Sequence, residues 1–159
     1  MAIGFAGTGL FVFYMALVTL QPSLYTETLH SLDAESWVVA FFCAEWCRSC
    51  REFRPVLDNM ISSYPEAAFF WVDIEDNSDM LGELDINKFP TLLIQRGETV
   101  AFYSCIHPDT KLIERILRSQ MEESPAALEL QAQSTDEKRA WQKECNFVTM
   151  LHNGLEFAG

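Results

Sequence analysis

An unbroken apolar run, Val38-Val39-Ala40-Phe41-Phe42-Cys43, stops just short of a cysteine pair, Cys47 and Cys50, that opens a helical pattern. Continuous β-branched and aromatic residues are what a central strand buried on both faces requires. From Cys47 to about residue 62, Phe53, Val56, Leu57, Met60 and Ile61 recur at helical spacing and form one apolar stripe. Pro55 falls inside that pattern; it has no backbone N–H and is expected to kink the helix.

The flanking segments continue the alternation of strand and helix. Residues 26–32 read as a short helix, 67–73 as a second buried strand and 78–84 as another short helix. Residues 91–95 and 99–104 read as strands joined by the turn Arg96-Gly97-Glu98. Asp109 can cap a last helix through residue 118, with Leu112, Ile113, Ile116 and Leu117 facing inward. The class is α/β, a central mixed sheet flanked by helices.

With 159 residues, nearly half of them apolar, the chain has material for one packed domain and a tail or two. A formal net charge of −12 argues against nucleic-acid binding, which needs a basic face to offset phosphates. The first 47 residues carry no Lys or Arg, and then Arg48, Arg51 and Arg54 come close together. That cluster either forms a local positive patch or pairs with Glu45, Glu52 and Asp58 on a helix surface.

Three parts follow: an apolar N-terminal segment (1–21), a folded domain (22–120) and an acidic C-terminal tail (121–159). The N-terminal segment has three readings: an exported leader, a membrane-associated helix, or sequence upstream of a true start at Met15, with 16–20 as the first strand. It lacks the positive n-region of a leader and the Lys/Arg anchor of a membrane helix, which favours the third reading and a cytoplasmic protein. In the tail, seven acids face three bases, and 126–130 and 137–148 have helical character, either transient or docked.

The chemistry concentrates at Cys47 and Cys50. A cysteine at a helix start lies near unsatisfied N–H groups and the positive end of the helix dipole, which favour thiolate. Thiolate is the attacking species in disulfide exchange, so Cys47 reads as the nucleophile. Cys50, one turn inward, reads as the shielded thiol that resolves the mixed disulfide. Half of a zinc site has the same spacing, but the chain has neither a second such pair nor a His pair. Cys43, Cys47 and Cys50 also match the Cys-x3-Cys-x2-Cys spacing of radical SAM iron–sulfur enzymes, yet Ser49 stands where those enzymes carry an aromatic, and too little chain follows for their barrel. No metal and no cofactor are expected.

The segment Phe42-Cys43-Ala44-Glu45-Trp46-Cys47-Arg48-Ser49-Cys50-Arg51 resembles the active-site segment of the thioredoxin family, and Pro55 matches that family's kink proline. Phe89-Pro90-Thr91-Leu92-Leu93-Ile94 is similar to its second landmark, where the proline is cis and lies against the redox pair. The resemblance covers about 100 residues and implies the thioredoxin fold. It also implies thiol–disulfide oxidoreductase activity on protein disulfides, in cell redox homeostasis. In this picture Trp46 is an exposed wall beside Cys47, and Phe89, Pro90 and Thr91 bind the backbone of a client. The implied partners are disulfide-containing proteins and an electron-donating reductase or dithiol protein, with the chain itself a monomer. The alternative is a thioredoxin-like binding module with slow or regulatory redox activity.

Several positions depart from the family. Arg48-Ser49 replaces the family's Gly-Pro, and Arg48 is expected to favour the Cys47 thiolate and raise the reduction potential. Phe41 and Trp71 occupy the places of the family's buried aspartate and lysine, which bears on how Cys50 loses its proton. Cys43 stands in place of a second tryptophan, as apolar filler or as a third redox thiol. Ser104-Cys105 replaces a groove glycine, and Cys145 reads as an incidental thiol.

Overall fold

The computed structural model describes residues 16–158. Its sheet has five strands: β1 (Leu17–Thr19), β2 (Trp37–Cys43), β3 (Ala67–Asp73), β4 (Thr91–Arg96) and β5 (Thr99–Cys105). They lie in the order β1-β3-β2-β4-β5. β3 runs parallel to β1 and β2, whereas β4 is antiparallel to β2 and β5. The sheet is mixed, and β2 sits at its centre.

Every residue of β2 is buried, because both faces of the sheet are covered. Alternate side chains therefore enter different cores. Trp37, Val39, Phe41 and Cys43 enter one, with Phe69 and Trp71 of β3 and Leu92 and Ile94 of β4. Val38, Ala40 and Phe42 enter the other, with Phe70, Val72 and Leu93. The first face is covered by α2 (Arg48–Phe53), α3 (Leu57–Ser62) and α5 (Thr110–Met121). The second is covered by α1 (Tyr25–Ser31), α4 (Ser78–Leu81) and α8 (Phe147–Ala158).

Local chemistry sets the boundaries. The helix expected over 47–62 is interrupted at Pro55, where Arg54–Val56 forms a single 3-10 turn between α2 and α3. α4 stops three residues earlier than its sequence pattern suggests, at Gly82, whose φ of 58° favours glycine. The turn between β4 and β5 contains Gly97, with φ of 56° and a backbone so near Ala34 that a Cβ would lie 2.4 Å from the Ala34 oxygen. Asp109 caps α5 by accepting from the Lys111 N–H at 3.0 Å.

Residues 125–158 form three helices: α6 (Pro125–Ala132), α7 (Asp136–Glu144) and α8. Ser124 and Thr135 cap the first two, accepting from Ala127 and Lys138 N–H groups. The 137–148 stretch breaks at Cys145-Asn146, and the chain turns there onto the sheet. Buried Gln95 of β4 donates to Asn146 Oδ1 (3.1 Å) and accepts the Phe147 N–H (2.8 Å). Asn146 in turn donates to the Glu98 carbonyl (2.8 Å). The readings that concern residues 1–15, including Met15 as a start, lie outside the described residues. Leu17–Thr19 forms the edge strand β1. No helix among the described residues is long and apolar enough to cross a membrane.

α8 is thus an integral layer of the fold. Phe147 is fully buried with its ring 5.2 Å from Phe70. Phe147→Ala is expected to cost about 3–5 kcal/mol, read as a lower urea midpoint with an unchanged slope. An unchanged midpoint would place α8 outside the cooperative unit.

Candidate active site

The site forms where the C-terminal end of β2 passes through Ala44-Glu45-Trp46 into α2. The Cys47 N–H bonds the Ala44 carbonyl at 3.0 Å, which tightens this connection into a turn. Cys47 then takes the N-cap position of α2 in extended conformation, and its carbonyl accepts the Arg51 N–H. Its thiol is half-buried and lies 3.2 Å from the Ser49 hydroxyl. Cys50 follows in the first turn at 1% exposure. All five cysteines are free thiols.

Cys50 shares a buried cluster with Cys43 of the strand, and Cys47 packs against that cluster from the helix cap. The neighbouring Cys43 thiol is the largest influence on Cys50, and together with Cys47 and the Ala44 backbone it outweighs burial. The Cys50 thiol is lowered to about 7 as a result. Cys43 moves the other way, pushed up by the neighbouring Cys50 thiol, by burial and by the charges of Cys50, Cys47 and Asp73. Among the described residues no group of three or more His, Cys, Asp and Glu side chains is arranged to hold a metal ion.

The second sequence landmark arrives from β4. The Phe89–Pro90 peptide bond is cis. The Pro90 carbonyl accepts the Ile106 N–H at 3.0 Å, and the Thr91 hydroxyl donates to the Lys88 carbonyl at 2.7 Å. Trp46 is 63% exposed, and its ring stands edge-on to Phe89, centroids 5.4 Å apart at 89°. Trp46 and Phe89 thus make an aromatic ledge, half-open to solvent, on the segments that carry Cys47 and Pro90. Thr91 is buried, and its side chain holds the turn.

The three arginines do not form one patch. Arg48 is 84% exposed and pairs with Glu52 at 2.9 Å. Arg51 donates to the Glu45 carbonyl at 2.6 Å. Arg54 leaves the site altogether: it bonds the Thr19 hydroxyl on β1 and lies over the Trp71 ring, 5.0 Å from its centroid. Phe41 is fully buried, edge-on to Phe53 at 5.7 Å and 6.4 Å from Trp71. The positions read as lacking the family's acid and lysine therefore hold a packed aromatic block.

Two thiols lie outside this cluster. Cys105 is exposed at the end of β5, opposite Thr91 in the ladder. Cys145 is buried on the other face beside Tyr103, and burial pushes its thiol up to about 12. Sequence reasoning weighed Cys43 as apolar filler or as a third redox thiol able to trap Cys47, and did not foresee that it shares a buried cluster with Cys50. The available signal was strand parity, which puts Cys43 on the same face as Phe41.

The thioredoxin family model matches residues 16–118. The chain is 32% identical over 77 residues to thioredoxin-2 of Saccharomyces cerevisiae, covering 48% of this chain and 72% of that protein. It is 31% identical over 77 residues to a thioredoxin of Chlamydia pneumoniae, covering 48% and 76%. Among solved structures, the long form of spinach chloroplast thioredoxin f superposes with a TM-score of 0.63 at 14% identity, over 77% of this chain and 100% of that one. Thioredoxin from Trypanosoma brucei brucei gives 0.58 at 22% identity, over 69% and 95%. The chain belongs to the thioredoxin family, and it has the thioredoxin fold. That membership supports thiol–disulfide oxidoreductase activity in general.

The lowered Cys50 thiol makes a direct prediction. The ultraviolet thiolate absorbance lost on Cys50→Ser should titrate in the wild type with a midpoint near 7. A midpoint at or above the ordinary cysteine value of about 8.5 would show that the Cys43 and Cys47 contacts do not act on it.

Proposed function

We propose that the chain is a thiol–disulfide oxidoreductase acting on protein disulfides, with Cys47 as the attacking thiol and Cys50 as the resolving one. The observation that carries this reading is the contrast between the two sulfurs: Cys47 is reachable from solvent at the start of α2, and Cys50 is sealed in the first turn behind it. Attack by the Cys47 thiolate on a client disulfide forms a mixed disulfide and releases one client thiolate. Cys50 then attacks the Cys47 sulfur, closes the Cys47–Cys50 disulfide and releases the second client thiolate.

The client would lie along the ledge of Trp46 and Phe89. A large aromatic left open to solvent beside a nucleophile supplies apolar area for an extended segment. Pro90 and Thr91 hold that ledge in place from the β4 side. Electrons would return from a reductase or a dithiol protein. One solved neighbour, thioredoxin f2, is seen in complex with ferredoxin:thioredoxin reductase, at a TM-score of 0.59 and 15% identity over 69% of this chain and 99% of that one. We propose a cytoplasmic location, where a reducing thiol pool would return electrons to the pair.

A second reading has one specific observation in its favour. Phe41 and Trp71 leave no carboxylate or ammonium at the positions where the family resemblance puts its proton-handling groups. A protein with slow resolution would hold clients more than turn them over. Insulin reduction with a dithiol as electron source separates the two. Wild type should accelerate it and Cys47→Ser should not, while Cys50→Ser should accumulate covalent partners through Cys47. Equal rates for wild type and Cys47→Ser would favour the binding module.

Arg48 is expected to tune the potential only slightly. It is exposed and shared with Glu52, so its effect on Cys47 is of surface-pair size, at most about 1 kcal/mol. Arg48→Gln should therefore lower the reduction potential by no more than about 20 mV. A shift several times larger in a glutathione equilibrium would mean that Arg48 leaves Glu52 and turns toward the sulfur.

A further inference from the structure

We infer that the groove between the β4–β5 turn and α6 is a docking surface for a basic amphipathic helix of a partner protein. That helix lays apolar side chains into two hollows of the groove and sets Lys or Arg side chains against Glu98, Glu129 and Asp33. The surface is separate from the thiol chemistry and does not depend on it.

The groove lies at the end of the sheet remote from the cysteine pair. Arg96, the last residue of β4, stands opposite Trp37, the first of β2, whereas Cys47 follows the other end of β2. The length of β2 at about 3.3 Å per residue puts about 20 Å between the two ends. One hollow, of about 350 Å³, has apolar walls from Leu29, Leu32, Pro125 and Leu128. A second, of about 610 Å³, lies beside Ala126, Leu130 and Gln133, which follow one another at turn spacing along α6. Glu98, Thr99 and Glu129 border both, so the two hollows adjoin.

The sequence of α6 accounts for the opening. Pro125-Ala126-Ala127-Leu128-Glu129-Leu130-Gln131-Ala132 is apolar on several sides rather than along one stripe. Leu128 and Ala132 turn into the protein, which leaves Leu130 at 77% exposure. An apolar side chain that open, beside a hollow with apolar walls, has area left to bury against a second element.

Charge selects the occupant. Glu98 and Glu129 are exposed and have no ion-pair partner among the described residues. The Asp33 carboxylate accepts the Glu35 N–H at 2.9 Å and the Ser36 hydroxyl at 3.1 Å, with no cation beside it. Arg96 also lines the groove, but it is engaged: it donates to Glu35 at 3.1 Å and lies over the Trp37 ring, 5.5 Å from the centroid. Arg139, which donates to the Gln133 carbonyl at the far end, is paired with Asp136. The groove is therefore apolar within and rimmed by carboxylates whose charge is not neutralised. A segment apolar on one face and basic on the next complements it. A helix presents both faces one turn apart and packs lengthwise beside another helix.

The test uses the full chain and a fluorescent peptide of leucine and lysine alone, with Leu at helical spacing and Lys on the opposite face. Binding is read by anisotropy at two salt concentrations. The wild type should bind the peptide, and more weakly at the higher salt. Leu130→Ser should weaken binding about tenfold, as loss of an apolar anchor does. Glu98→Gln with Glu129→Gln should weaken it about fivefold and flatten the salt dependence. Asp58→Asn with Glu75→Gln removes the same charge at exposed positions outside the groove, and should stay within about twofold of wild type. Every substituted side chain is exposed, so each variant should keep the wild-type urea midpoint.

No binding of the leucine–lysine peptide overturns the inference. So does an equal loss in the Asp58 and Glu75 pair, which would make the attraction one of net charge alone. Equal binding of a leucine–glutamate peptide overturns it as well. Self-association of the chain that Leu130→Ser abolishes, measured by sedimentation, would assign the groove to a second copy and overturn the basic partner.

Discussion

The arrangement depends on β2 being sealed on both faces. A strand in that position has no solvent side, so its seven side chains must all be acceptable to an apolar interior, and each adjacent pair is divided between two cores. The parallel ladder with β3 on one side and the antiparallel ladder with β4 on the other hold it in a single register. A slip of one residue would exchange the two sets of side chains and move Cys43 to the wrong face. The site follows from this. The short connection after Cys43 leaves Cys47 at the rim of the sheet, and α2 folds back so that Cys50 meets the face that Cys43 occupies. The antiparallel partner β4 begins beside the same rim, which is why Phe89 and Pro90 arrive next to Trp46.

Among the described residues no carboxylate is buried, and that shapes the chemistry. Phe41, Phe53 and Trp71 pack as a continuous block, closed from the edge by the Arg54 guanidinium over Trp71 and anchored to β1 through Thr19. Such a block stabilises the fold, since aromatic burial carries a large apolar contribution. It also removes water and charge from the interior side of Cys50. Cys50 therefore sits among aromatic rings with Cys43 in the same buried cluster. Stability and reactivity are thus linked through one packed face.

The far face shows how the C-terminal segment is held. The Gln95, Asn146 and Phe147 bonds satisfy buried polar groups in pairs, which keeps their burial from being costly. Gln142 on α7 accepts the Val100 N–H at 2.8 Å and donates to the Val100 carbonyl at 2.9 Å, occupying part of the open edge of β5. An edge strand left unpaired is a site for association with other chains, and a side-chain amide here takes the place of a further strand. Gly154 belongs to the same docking. A Cβ there would come within 2.5 Å of the Tyr25 ring, whose hydroxyl is itself held by Asn77 at 2.7 Å.

The strands, the helix after Cys47, its break at Pro55 and the cap at Asp109 were legible in the sequence because each is set by neighbours within one turn or one pleat. The thioredoxin relationship was legible because two short landmarks carry it. Other features came only from tertiary structure. α8 as a layer of the core, rather than part of an acidic tail, rests on Gln95 meeting Asn146 across 51 positions. Arg54 leaving its cluster for Trp71 and Thr19 depends on where α2 crosses the edge of the sheet. The active-site pair illustrates the division most directly. Sequence alone determined that Cys47 and Cys50 share one helical turn, since their spacing requires it. That Cys50 also meets Cys43 was decided by packing, because a strand residue and a helix residue touch only once the helix has been laid on that face.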